Sequence, residues 1–470
     1  MRRDRPLLAV LLGLSLVAAL AGCDTGRPTV RGIATPPTPA APGRAAHAFY
    51  VLDVVRDTSA PLNYHTDVVA LAPDDGSILW RHHSSLYLGF QPEMLDGIVY
   101  TVLSDTTSHS IRPGFLEALD PASGTLLWRH KTDQPIHTVL TVQNGVVYAS
   151  YGAVPPAGPR YWPTSFVEAI STHDGSRLWR TTVNGTPSAG AIANGTLYIA
   201  LAAGTYAQPE SLHGSLIAID ANTGALRWAT PTDLPRGAEA GTFAPIVVNG
   251  MVYLETVSRN ASGSLSDTVN AFSVADGRLI WHHPTASSAS PLTVAGGLVV
   301  FDWYDARNAA HQPAEAIALD AATGSVRWRY TLPGTPTDPL VVGNRVYLSV
   351  SGTSDASRSG VLALRVRDGA LLWRARAGQP ADVELFSSPV AAGNLIAVFA
   401  IHNQNSKSVS LSVLRSEDGS HVWSREIAQP LQYPALMSQD SNFYVRRGTS
   451  DFSLRAFRAS DGTLLWVYPL

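Results

Sequence analysis

From about His47 the chain is built of short apolar runs that alternate with period two and are rich in Val, Thr, Tyr and Gly. That spacing predicts half-buried β-strands and excludes helical repeats. Runs come in pairs split by Asn-Gly, Gly-Asn or a similar turn pair, as in SAGAIANGTLYIALA (188–202) and PLVVGNRVYLSV (339–350). Such pairs favour tight hairpin turns. Each hairpin is followed by a second motif, of which ALDPASGTLLW (118–128) is typical: two short strands around a glycine-centred turn, closing on tryptophan. The predicted unit is four antiparallel strands.

The second motif recurs nine times, ending at Trp80, Trp128, Trp179, Trp228, Trp281, Trp328, Trp373, Trp423 and Trp466, at intervals of 43 to 53 residues. Nine of the eleven tryptophans occupy this one slot, so it carries a structural duty common to every unit. Its glycines, Gly76, Gly124, Gly175, Gly224, Gly277, Gly324, Gly369, Gly419 and Gly462, mark a turn that needs positive φ, and Asp, Thr or Ser precedes each one. The motif opens on Ala, or Val413 once, a small residue that leaves room for the indole, and the indole suits a wedge between neighbouring sheets. Many four-stranded units of this length predict an all-β fold, a β-propeller of four-stranded antiparallel blades around an axis.

The N-terminal segment has a different pattern. Arg2, Arg3 and Arg5 precede an apolar run from Leu7 to Leu20, which reads as the charged and hydrophobic parts of an export signal over residues 1–22. The sequence LAGC (20–23) resembles a bacterial lipobox, which implies lipidation of Cys23 and a membrane anchor through that lipid. Cys23 is the only cysteine, so no intramolecular disulfide is available. Residues 23–46 read as the lipidated cysteine and a flexible tether rich in Pro, Thr and Ala, and residues 47–470 as the propeller. The expected location is the cell envelope, on the outward face of the cytoplasmic membrane or in the periplasm; Asp24 favours retention at the inner membrane under the sorting rule of some diderm bacteria.

The full pattern, Ala218-Asp220-Thr223-Gly224-Trp228 and again Ala318-Asp320-Thr323-Gly324-Trp328, resembles the tryptophan-docking repeat of quinoprotein (PQQ-like) propellers, over residues 68 to 470. The resemblance implies eight blades, against nine motifs counted. The first motif lacks an obvious innermost strand ahead of AFYVLDVV (48–55), so either the first and last units share or cap a blade or the ring departs from eight.

Two branches of that superfamily compete. One, the PQQ-dependent dehydrogenases, implies a quinone, a calcium ion and often an adjacent-cysteine disulfide, which this chain cannot form. The other, non-catalytic lipoproteins of the BamB type, implies a scaffold that binds envelope proteins or peptides. The short, even intervals leave little room for a catalytic cap, so the expected protein is a non-enzymatic scaffold with no cofactor and no metal site. A polysaccharide-binding or sensor propeller is a third reading.

Composition agrees with a large core: 45% apolar and 15% charged residues, with a formal charge of -3 and no basic tract for nucleic acid. The histidines beside the docking tryptophans (His82, His83, His130, His282, His283) are expected to be exposed on separate blades. Trp162 and Trp303, outside the repeat, are either rim contacts or ordinary packing.

Overall fold

The structure is a computed structural model that describes residues 48–56, 64–84, 87–88, 92–104, 114–152, 164–205, 208–232, 241–242, 244–259, 265–285, 289–304, 314–352, 359–376, 383–402, 409–427, 435–447 and 453–469. The leader (1–22), Cys23, the tether to residue 46 and Trp162 lie outside the described residues. Every described residue belongs to one unit, Pro39–Leu470. Among the described residues there is no helix, hence none long and apolar enough to cross a membrane.

Among the described residues nine antiparallel sheets follow one another, one for each motif. Eight carry a path of four strands, and the sheet at the N-terminal end has three: Phe49–Arg56, Tyr64–Leu71 and Ile78–Ser84. That sheet lacks the innermost strand among the described residues, where the sequence shows none. The fourth sheet is representative, with Thr186–Ala193, Thr196–Thr205, Gln208–Asp220 and Leu226–Thr232 side by side in chain order. The first strand is broken into two pieces in the second, fifth, seventh and eighth sheets.

First strands of adjacent sheets approach one another, as Ile136–Gln143 does Thr186–Ala193 and Val390–Ala392 does Ala435–Gln439, which sets them around a common axis. The tryptophan strand ends each path and forms its outer edge. Central strands are apolar on both faces because each sheet is covered by a neighbour on either side. Leu197, Ile199 and Ile219 of the fourth sheet, for instance, pack with Val167, Ala169 and Trp179 of the third. The last sheet packs on the first in the same way, through Tyr444, Leu454 and Trp466 against Val51, Val69 and Leu71, so the ring of nine sheets is closed. It is a β-propeller.

Candidate functional site

The repeating chemistry converges on the seams between sheets. In each motif the small residue lies directly across from its own tryptophan, as Ala218 from Trp228, and the register shifts immediately after it. The strand before supplies a tyrosine opposite the same alanine: Tyr198 faces Ala218. Because the residue between them is only a methyl group, the Tyr198 and Trp228 rings meet over it at 5.9 Å. The same Tyr–Ala–Trp row recurs with Tyr50, Tyr100, Tyr148, Tyr253, Tyr347 and Tyr444. Sequence reasoning missed this tyrosine, although it stands at a fixed place after the hairpin turn in runs such as GVVYAS and GTLYIA.

Each indole then reaches the next sheet. Trp179 donates from Nε1 to the Ala221 carbonyl at 2.9 Å, and the other eight make the equivalent bond, ending with Trp466 to Pro73 across the ring closure at 3.0 Å. Its face covers the turn glycine of the following motif: the Trp179 ring lies over Gly224, Trp328 over Gly369 and Trp466 over Gly76. In three seams among the described residues the tyrosine hydroxyl donates to the carbonyl that already accepts the indole, as Tyr148 and Trp179 do at Ala221. The nine tryptophans and nine glycines are thus brought together in pairs, each pair drawn from two successive motifs.

The residue two after the tryptophan also reaches across. Thr181 and Thr230 donate to the Gly224 and Gly277 carbonyls, Arg425 to that of Gly462 and His130 to that of Gly175. His130 Nε2 faces Glu168 Oε2 at 2.9 Å, and His82 Nε2 faces Glu117 Oε2 at 3.3 Å. These rings are largely buried, with side chains 11% and 14% exposed. The expectation of exposure therefore fails for His82 and His130: their slot points into the next seam, where a buried carboxylate needs a partner. His83 and His282 are exposed as expected, and His283 is half-buried against Phe301. The histidines fall on three different sheets, His82 with His83, His130 alone and His282 with His283.

Burial alone would raise the Glu117 and Glu168 carboxyls. It is outweighed by hydrogen bonds from His82 and Arg129 to Glu117 and from His130, Tyr151 and Arg177 to Glu168, so both are held below the usual carboxylate range. At the closure, Arg81 bridges Asp53 and Asp67 at 2.8 and 2.9 Å and bonds the Tyr468 hydroxyl. Trp303 is 8% exposed and packs with Phe301 and Ile317, donating to Glu315; it is a packing residue and not a rim contact.

Among the described residues no three Asp, Glu, His or Cys side chains are arranged to hold a metal ion. What the outer strands do present is apolar surface. Leu126, Leu127, Leu178, Leu226, Val326, Leu371, Leu372 and Leu464 each stand one or two places before a docking tryptophan, and all are exposed. They recur on edge strands, whose outer backbone groups have no neighbour within the sheet.

A family model described as outer membrane protein assembly factor BamB matches residues 65–302 and 265–442. The protein of that name from Vibrio cholerae serotype O1 is 26% identical over 148 residues, covering 29% of this chain and 34% of its own length. XoxF of Paracoccus denitrificans, named as a dehydrogenase, is 26% identical over 186 residues, covering 36% of this chain and 28% of its own length. The chain thus spans well under two thirds of either relative. The crystal structure of BamB from Moraxella catarrhalis aligns at 15% identity with a TM-score of 0.42, over 67% of this chain and 84% of that one.

Proposed function

The chain belongs to the family described as outer membrane protein assembly factor BamB, and on that premise we propose that it is a non-catalytic scaffold of the cell envelope, anchored by lipid on Cys23, that binds extended segments of other envelope proteins. The observation that carries this reading is the repeated pairing of an outer edge strand with exposed leucines beside the docking tryptophan. An edge strand offers backbone hydrogen bonds to a partner strand, and apolar side chains on it favour one whose pattern alternates. The conspicuous recurring groups of the motif are engaged in holding sheet to sheet.

Titration of the full chain with alternating-pattern strand peptides from an outer-membrane β-barrel, followed by tryptophan fluorescence, tests the reading. Saturable binding that weakens at least tenfold in a Leu126→Lys, Leu127→Lys variant is expected. A parallel titration with PQQ and calcium, monitored by dye-linked alcohol oxidation, addresses the reading favoured by the match to XoxF. Turnover there, with no peptide binding, would overturn the scaffold.

A further inference from the structure

Three buried carboxyl groups and the half-buried Asp338 stand in the fifth to seventh sheets, away from the repeating slots. Glu255 and Asp267 lie on the neighbouring strands Met251–Arg259 and Leu265–Ser273, two places out of register on one face, with residue exposures of 1% each. That face is the seam with the sixth sheet, where Tyr253 and Val269 pack on Val299 and Phe301. Asp302, 4% exposed, sits on Leu298–Trp303 with the parity of Val300, which faces the seventh sheet. From that sheet comes Asp338, between Thr335–Pro336 and Leu340–Val342. The four acids cross two consecutive seams.

Around Glu255 and Asp302 the surroundings offer little to a negative charge. Asp267 Oδ2 accepts the Ala289 N–H at 2.6 Å, Asp302 has the Ser290 hydroxyl and Asp338 that of Ser388. No donor among the described residues reaches either oxygen of Glu255, nor Oδ2 of Asp302. The group facing Glu255 is the Asp267 carboxyl, and two carboxyls can bond only by sharing a proton. His283 lies opposite Val269 in the same seam, but burial, aided by Arg329 and His282, pushes its imidazole toward the neutral form. Arg329 is itself held by Glu315. No three of these groups are placed to ligate a metal ion. Burial pushes the Glu255, Asp302 and Asp338 carboxyls up, and the neighbouring acids push Glu255 and Asp302 further the same way.

We propose that Glu255, Asp302 and Asp338, with Asp267 beside Glu255, form a proton store across the fifth to seventh sheets, which locks this side of the ring in mild acid and loosens it as the store empties. The sign follows from linkage. A carboxyl that binds its proton more tightly in the folded chain contributes its full stability below the unfolded value, near 4, and loses it as the pH rises through the folded value.

The test is urea unfolding of the full chain from pH 4 to pH 8, with infrared spectra of the folded protein across the same range. The unfolding constant is expected to rise by up to about tenfold per pH unit for each stored proton, and the carbonyl band of protonated carboxylic acid to persist at neutral pH. In Glu255→Gln with Asp302→Asn, neutral at every pH, the band should shrink and the pH dependence flatten. Should that variant fail to fold, the wild-type band decides alone, since a merely structural cluster of ionised acids gives none. Absence of the band at pH 7 overturns the proposal. So does stabilisation by added calcium in the wild type but not in the variant, which would make the cluster a cation site.

Discussion

A methyl group at position 224 would stand 2.6 Å from the Trp179 ring, on a residue whose φ is +73°. Both the backbone conformation and the contact oppose it, so Gly224→Ala should cost about 2–4 kcal/mol. Gly250 has φ +79° with nothing within 4 Å of the same methyl, and Gly250→Ala should cost about 1 kcal/mol. Urea unfolding of the two variants separates conformational strain from lost docking space, and equal costs would mean that the indole does not press on the turn. Truncating the wedge itself, as in Trp328→Ala, should cost about 3–5 kcal/mol by the same measurement.

At the scale of elements, what binds sheet to sheet is a row of short polar ties laid over an apolar seam. Glu117 shows how such a tie responds to pH. Its carboxyl is held low in the folded chain, so its contribution is present above the unfolded carboxylate value of about 4.3 and is lost as the pH falls below it. Glu117→Gln should therefore cost about 2–3 kcal/mol at pH 7, and the gap to the wild type should close below pH 4 in acid titrations of stability. Strands, turns and the tryptophan slot were legible in the sequence because they depend on residues within one period. Asn194-Gly195, read as a turn pair, does take positive φ at both residues. The burial of His82 and His130, and the meeting of Glu255 with acids more than forty residues away, were not legible. They depend on which faces two separate units turn to each other, and no spacing inside a unit records that. The tyrosine opposite the motif alanine could have been found, since it repeats at the same period as the tryptophan.

At the scale of the molecule, the closing seam can be compared with an interior one. Trp466 makes the same bond and covers the same kind of glycine as its eight counterparts, although its partners lie almost the whole chain length away. Trp466→Ala and Trp228→Ala should then destabilise the ring alike, by about 3–5 kcal/mol each in urea unfolding. A much smaller loss for Trp466→Ala would mean that the ring is held shut elsewhere.

The docking of each indole on the turn of the following motif carries a consequence for how such a chain can be inherited. One period of sequence encodes half of the joint on its left and half of the joint on its right. A duplication or deletion of a single period therefore adds or removes a whole blade while every remaining joint keeps its complementary halves. Blade number can drift by unequal recombination without any joint having to be reinvented, and the cut between first and last codons can fall between any two blades.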